Sequence, residues 1–172
     1  MTESCHTISL DSDKQTPQPR IRVIGIGSAH GADQVGWLAC ERLQTLIHNY
    51  PIDWQLCRTP AQLPQLVQDC EAVVIIDSLL SEYPAGHVIN LTWPVPQERY
   101  APGYSSHGIT VTEALQLAAT LDQLPAQTYL LGLTITEPEQ EAMPVVDNTI
   151  NQLQHEVNCI VNQVNATRTP DI

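Results

Sequence analysis

Ala72-Val73-Val74-Ile75-Ile76-Asp77 decides the fold. Five apolar residues follow one another without polar alternation and stop at a carboxylate. A strand with one face in water alternates apolar and polar side chains, whereas a run of this kind fits a strand covered on both faces, as in a parallel sheet. An aspartate beside such a run costs several kcal/mol to bury unless it is paired or bound. Asp77 is therefore either a turn cap or a site residue at a strand end.

The pattern on either side supports a parallel sheet. Upstream, Ile21 to Gly27 (IRVIGIG) reads as a buried first strand ending in a turn. Val35, Leu38, Ala39, Leu43, Leu46 and Ile47 recur at helical spacing, which predicts a helix over about 33–49, ended by Pro51. Ile52, Trp54 and Leu56 alternate as a second strand, and a short helix is expected over about 61–69. Downstream, Gly86 to Trp93 lies among Pro84, Pro94 and Pro96 and reads as an edge strand. A helix at 110–121 is expected to turn Leu115, Ala118, Ala119 and Leu121 inward. Thr128 to Leu133 reads as the last central strand. Val146, Ile150, Leu153, Val157, Ile160, Val161 and Val164 form one apolar helical stripe over about 145–164.

Strands alternating with helices predict an α/β fold: a single doubly wound, mostly parallel sheet of about five strands, with helices on both faces and one antiparallel edge strand. The 172 residues suit one domain, expected over 20–166, with a polar, disordered tail at 1–19 and a short tail at 167–172. No apolar run approaches the roughly 20 residues of a membrane span. The first 20 residues lack the apolar core of a secretory signal, so a cytoplasmic protein is expected. Seven Lys plus Arg against a net charge of −12 argue against nucleic acid as a partner. The five cysteines, Cys5, Cys40, Cys57, Cys70 and Cys159, form no C-x-x-C pair and read as reduced, mostly buried thiols.

Three strand-to-loop junctions carry polar residues at the expected crevice. The first loop, Gly27 to Gly36, contains G-x-G, but His30 stands where the dinucleotide fingerprint needs glycine, and no Walker lysine follows. Asp33 in that loop is either a helix cap or a ligand. His107, in Ser105-Ser106-His107-Gly108, is either a structural loop histidine or a metal ligand. Ser105 and Ser106 invite a hydrolase reading with His107, yet no G-x-S-x-G elbow accompanies them. Two carboxylates and an imidazole would suit a borderline divalent ion such as nickel or zinc. Residue chemistry alone leads to an α/β protein with a possible Asp33/Asp77/His107 metal site.

Four blocks in order resemble the [NiFe]-hydrogenase maturation proteases over about residues 21–165: IRVIGIGSAHGADQVGW, VVIIDSLLSEYPAGHV, SSHGITVTEAL and TYLLGLTITEPE. The resemblance implies an endopeptidase that removes the C-terminal extension of a hydrogenase large-subunit precursor after nickel insertion. Asp33, Asp77 and His107 would be its metal-binding and catalytic residues. The nickel would arrive with the precursor rather than be held permanently, and the enzyme is expected to act as a monomer. An alternative is a non-enzymatic relative that binds the precursor or its metal as a chaperone. The chain departs from the family pattern at Ser28, usually Asn, and at Ala32, usually acidic. Its first loop is one residue shorter, and Cys57-Arg58-Thr59-Pro60 stands where the family often has a glycine-rich turn. His30 is a further candidate ligand, set against an ordinary loop residue.

Overall fold

The computed structural model describes residues 20–28, 34–96, 109–136 and 146–167. The expected tail at 1–19, and the loop residues His30, Asp33, Ser105, Ser106 and His107, lie outside the described residues. Ten elements follow the chain: β1 (Ile21–Ile26), α1 (Val35–Leu46), β2 (Ile52–Cys57), a 3-10 turn (Pro60–Gln62) running into α2 (Leu63–Leu66), β3 (Ala72–Leu80), β4 (Val88–Thr92), α3 (Val111–Thr120), β5 (Gln127–Ile135) and α4 (Asp147–Ala166). The five strands lie in the order β2-β1-β3-β5-β4. All neighbours are parallel except β4, which runs antiparallel along the outer edge of β5. The expected doubly wound sheet with an antiparallel edge is therefore the observed one.

Side-chain alternation along the central strands divides the core in two. Val23, Val74, Ile76, Leu131 and Leu133 face one side, where Val35, Ala39 and Leu43 of α1 and the stripe from Ile150 to Val164 of α4 close over them. Ile24, Val73, Ile75 and Leu130 face the other, under Leu63 and Val67 around α2 and Val111, Ala114, Leu115 and Ala118 of α3. Ile75 and Ile76 are both fully buried, as a strand covered on both faces requires.

Four details differ from the sequence pattern. First, β3 does not stop at Asp77 but runs on to Leu80, because β5 keeps pairing with it as far as Leu80↔Ile135. Only the pairing with β1 ends there, at Gly25↔Ile76. Second, α1 spans Val35–Leu46 rather than 33–49, and Leu38 and Leu46 lie on its outer side. Third, the segment expected as a helix at 61–69 is a 3-10 turn and one α-helical turn. Fourth, α3 buries Val111, Ala114, Leu115 and Ala118, whereas Ala119 is exposed and Leu121 ends the helix with half its surface in water. Spacings of three, four and seven from Val111 define the inner stripe, and Ala119 and Leu121 fall outside it.

A salt bridge ties the opposite end of the sheet together. Arg22 of β1 holds Asp53 of β2, with Nε 2.7 Å from Oδ2, and also donates to the carbonyls of Leu66, the last residue of α2, and Gln68 just beyond it. Burial pushes the Asp53 carboxyl up, but hydrogen bonds from Gln55 and Arg22 and the charges of Arg22 and Arg20 outweigh that, so it lies below the ordinary aspartate value. A depressed folded pKa contributes stability that is fully present above the unfolded value, about 3.9, and is lost as pH falls through the folded one. Urea unfolding should show Asp53→Asn less stable than wild type at neutral pH, with the gap closing once acid has protonated Asp53 in the folded protein.

Packing at two glycines is tighter than any side chain would permit. A Cβ on Gly36, in the first turn of α1, would lie 2.0 Å from the carbonyl oxygen of Ile26 and 2.9 Å from that of Ile76. A Cβ on Gly25 of β1 would lie 2.6 Å from both the Gly36 oxygen and the Cys40 Cβ. Backbone cannot move aside as a flexible side chain can, so Gly36→Ala should destabilise the fold by about 3 kcal/mol or more, read as a drop in the urea midpoint.

Candidate functional site

β1 has β2 on one side and β3 on the other, so the chain leaving β1 turns toward α1 and β2 while the chain leaving β3 turns the opposite way. That divergence opens a crevice at the carboxyl ends of the strands, the usual ligand position in open α/β sheets. Asp77 lies on this boundary. It is the first β3 residue beyond the β1 pairing, and it remains bonded in register to Gly132 of β5 on its other side.

Asp77 is half-buried, and the Ser78 backbone N–H donates to its Oδ1 at 2.8 Å. By strand alternation its side chain shares the α3 face with Ile75 and Leu79. A small gap there is lined by Ile75, Asp77, Leu91, Val111, Leu130 and Gly132. Gly132 matters to that shape: a Cβ on it would press the Leu79 side chain at 3.0–3.2 Å. The half-buried carboxylate thus borders a small recess with mostly apolar walls.

Asp77 is the member of the expected trio that the structure describes, and it lies where β3 parts from β1 rather than at the end of the strand. Asp33 and His107 lie outside the described residues, as does His30. Their described flanks are held in place. Gln34 is the N-cap residue of α1, two residues before the tightly packed Gly36. Ile109 packs against the α3-side core, and Thr110 begins α3 with a capping box. In that box the Thr110 N–H donates to Glu113 Oε2 at 2.7 Å, and the Glu113 N–H donates to the Thr110 hydroxyl at 3.2 Å. The Thr110 N–H and hydroxyl, both donating to Glu113 Oε2, hold its carboxyl below the usual range. Among the described residues no three of His, Cys, Asp and Glu cluster as a metal site, and no helix is long and apolar enough to cross a membrane.

Two contributors escaped the sequence reading. Gly36 and Gly25 bring the first turn of α1 onto the carbonyl ends of β1 and β3, one residue from Asp77. The available signal was Gly36 itself, since a glycine inside an apolar helical period costs about 1 kcal/mol against alanine and needs a packing reason. The capping box was legible as Thr110-Val111-Thr112-Glu113.

Burial pushes the Cys57 thiol up to about 11, with the Asp77 charge adding to it, and burial pushes Cys40 up to about 12. Neither offers a thiolate at neutral pH. Cys40, Cys57, Cys70 and Cys159 are all free thiols; Cys40 and Cys57 are buried as expected, Cys70 is partly so, and Cys159 is exposed on the outer side of α4.

The class this geometry defines is a doubly wound α/β protein with a carboxylate at its switch point. Solved structures then narrow the likeness. The fold matches a hydrogenase maturating endopeptidase, HybD, from E. coli with a TM-score of 0.65 at 17% identity, covering 84% of this chain and 93% of that one. It matches the solution structure of an endopeptidase from Escherichia coli with a TM-score of 0.67 at 18% identity, over 84% and 93% of the two chains. The [NiFe] hydrogenase maturation protease HycI from Thermococcus kodakarensis gives 0.59 at 19% identity, over 86% and 95%. No protein-family model matches the sequence, and no curated protein does. The chain therefore shares the fold of hydrogenase maturation proteases across most of its length, in keeping with the resemblance carried by the four sequence blocks.

Thiol reagents at neutral pH should label Cys159 in the native protein and leave Cys40 and Cys57 unmodified until denaturant is added, as peptide mapping by mass spectrometry would show.

Proposed function

We propose that this protein is an endopeptidase of hydrogenase maturation, which removes the C-terminal extension of a nickel-loaded [NiFe]-hydrogenase large-subunit precursor. The observation that carries this reading is Asp77: a carboxylate oriented by the Ser78 N–H, at the switch-point crevice of a fold shared with proteases of that name. Raised thiol pKa values at Cys40 and Cys57 speak against a cysteine nucleophile and leave carboxylate chemistry in place.

In this proposal Asp33, Asp77 and His107 together grip the nickel of the precursor, which is part of the substrate. Support for Asp33 comes from Gly36, three residues on, whose packing against Ile26 and Ile76 anchors the start of α1 beside Asp77. Support for His107 comes from the Ile109–Thr110 anchor, since the Asp77 side chain faces the same side of the sheet as α3. Oxygen and nitrogen donors suit nickel, and a ligand set with vacancies lets the substrate supply the rest. Gripping the ion places the scissile peptide beside Asp77, so that positioning lowers the barrier and a carboxylate takes the proton from the attacking water. The enzyme acts as a cytoplasmic monomer in this reading.

The test is cleavage of purified precursor followed by mass spectrometry. Wild type should shorten the nickel-loaded precursor and leave the nickel-free form intact. Asp77→Asn, with an unchanged melting temperature, should cleave at least about 100-fold more slowly, and Asp33→Asn and His107→Ala should behave alike. Full activity in Asp77→Asn would remove the proposed role. Precursor binding without any shortening would identify a chaperone instead.

A further inference from the structure

Beyond Asp77, one cation stands out at the same end of the sheet. Arg22 and Arg42 both hold carboxylates, Asp53 and Asp147 respectively. Arg58, the residue immediately after β2, is exposed and makes no ion pair among the described residues. Its guanidinium carbon lies 6.0 Å from the centroid of the Trp37 ring, in range of a cation–π contact.

The ring and the backbone around this guanidinium are held in place. Trp37 Nε1 donates to the Cys57 carbonyl at 2.9 Å, which fixes the ring against the end of β2. The same carbonyl accepts from Gly27 N at 3.0 Å, tying that end to the end of β1. The Arg58 N–H donates to Gln62 Oε1 at 3.1 Å, closing the turn that follows. Leu56, two residues earlier in β2, is 45% exposed. Beyond β1, the end of β2 therefore carries an exposed leucine, an indole and an exposed guanidinium close to one another.

We infer that Arg58, seated on Trp37, binds a carboxylate of the precursor and so orients the precursor on the crevice. This inference rests on the function proposed above and names a contact that selects the substrate. Guanidinium recognises carboxylate through paired hydrogen bonds, and an adjoining apolar surface favours such a pair by excluding water. The net charge of −12 sharpens the choice. An acidic group is repelled over most of this surface and accepted at Arg58, so the contact selects the docked position through binding affinity. Trp37 is a positioning residue, acting through Arg58.

The experiment measures cleavage of nickel-loaded precursor by wild type, Arg58→Ala, Arg58→Lys and Arg58→Glu. Arg58→Ala should raise KM by roughly 10-fold with kcat little changed, and Arg58→Glu by more, while Arg58→Lys falls between wild type and Arg58→Ala. The gap between wild type and Arg58→Glu should narrow as salt is added, which a merely structural defect would not do. Two sources of the carboxylate separate on the precursor side. Rescue of Arg58→Glu by one Asp→Arg or Glu→Arg change in the precursor identifies a side chain; rescue only by a C-terminal amide identifies the α-carboxylate. Equal KM values for wild type and Arg58→Glu across salt concentrations would overturn the inference. A wild-type protein that shortens no precursor would instead overturn the proposed function, and the two failures are thereby distinct.

Discussion

The contact of α1 with β1 and β3 through Gly25 and Gly36 is the constraint on which the crevice depends. With any side chain at Gly36, the first turn of α1 would be held off the Ile26 and Ile76 carbonyls, which its backbone now meets directly. Because Gly25 lies beneath Cys40 one turn further along, the two glycines set both the distance and the tilt of the helix. The start of α1 is thereby held at the junction of β1 and β3, where Asp77 begins the unpaired edge of β3. Burial of α1 on the sheet then follows from ordinary apolar packing of Val35, Ala39, Leu43 and Ile47.

Asp77 shows how a strand can carry a polar group without ending. The β1 side of β3 is released after Ile76, while β5 continues to satisfy the backbone to Leu80. A carboxylate at that step has one protected flank and one open flank. Gly132 opposite it leaves Leu79 room beside the recess, and α3 closes the apolar wall through Val111. The capping box at Thr110 fixes where α3 starts, and with it where that wall ends. Arg58 and Trp37 stand at the end of β2, on the far side of β1 from this recess.

Much of this was legible from local pattern. The unbroken run Ala72 to Ile76, the glycine-ended first strand and the proline-flanked edge strand specify a mostly parallel sheet, because burial on two faces, one face or an edge each leaves its own periodicity. The stripe from Ile150 to Val164 placed α4 nearly residue for residue, since a long amphipathic helix repeats its signal many times. The same pattern located Asp77 at the crevice, because a carboxylate directly after a doubly buried run has few other places to be.

Tertiary structure decided what local pattern does not encode. That β3 continues past Asp77 follows from pairing with β5, fifty and more residues away. That α3 turns Val111 and Ala114 inward, and leaves Leu121 half in water, follows from where its capped first turn meets β5 and α2. The roles of Gly36 and of the Trp37–Arg58 pair arise from distances between elements far apart in the chain, which composition and spacing do not carry. Sequence by itself therefore determined the sheet class and the carboxylate at its switch point, since both follow from periodic burial. Only the folded chain decided which backbone atoms touch, and so how the crevice is walled.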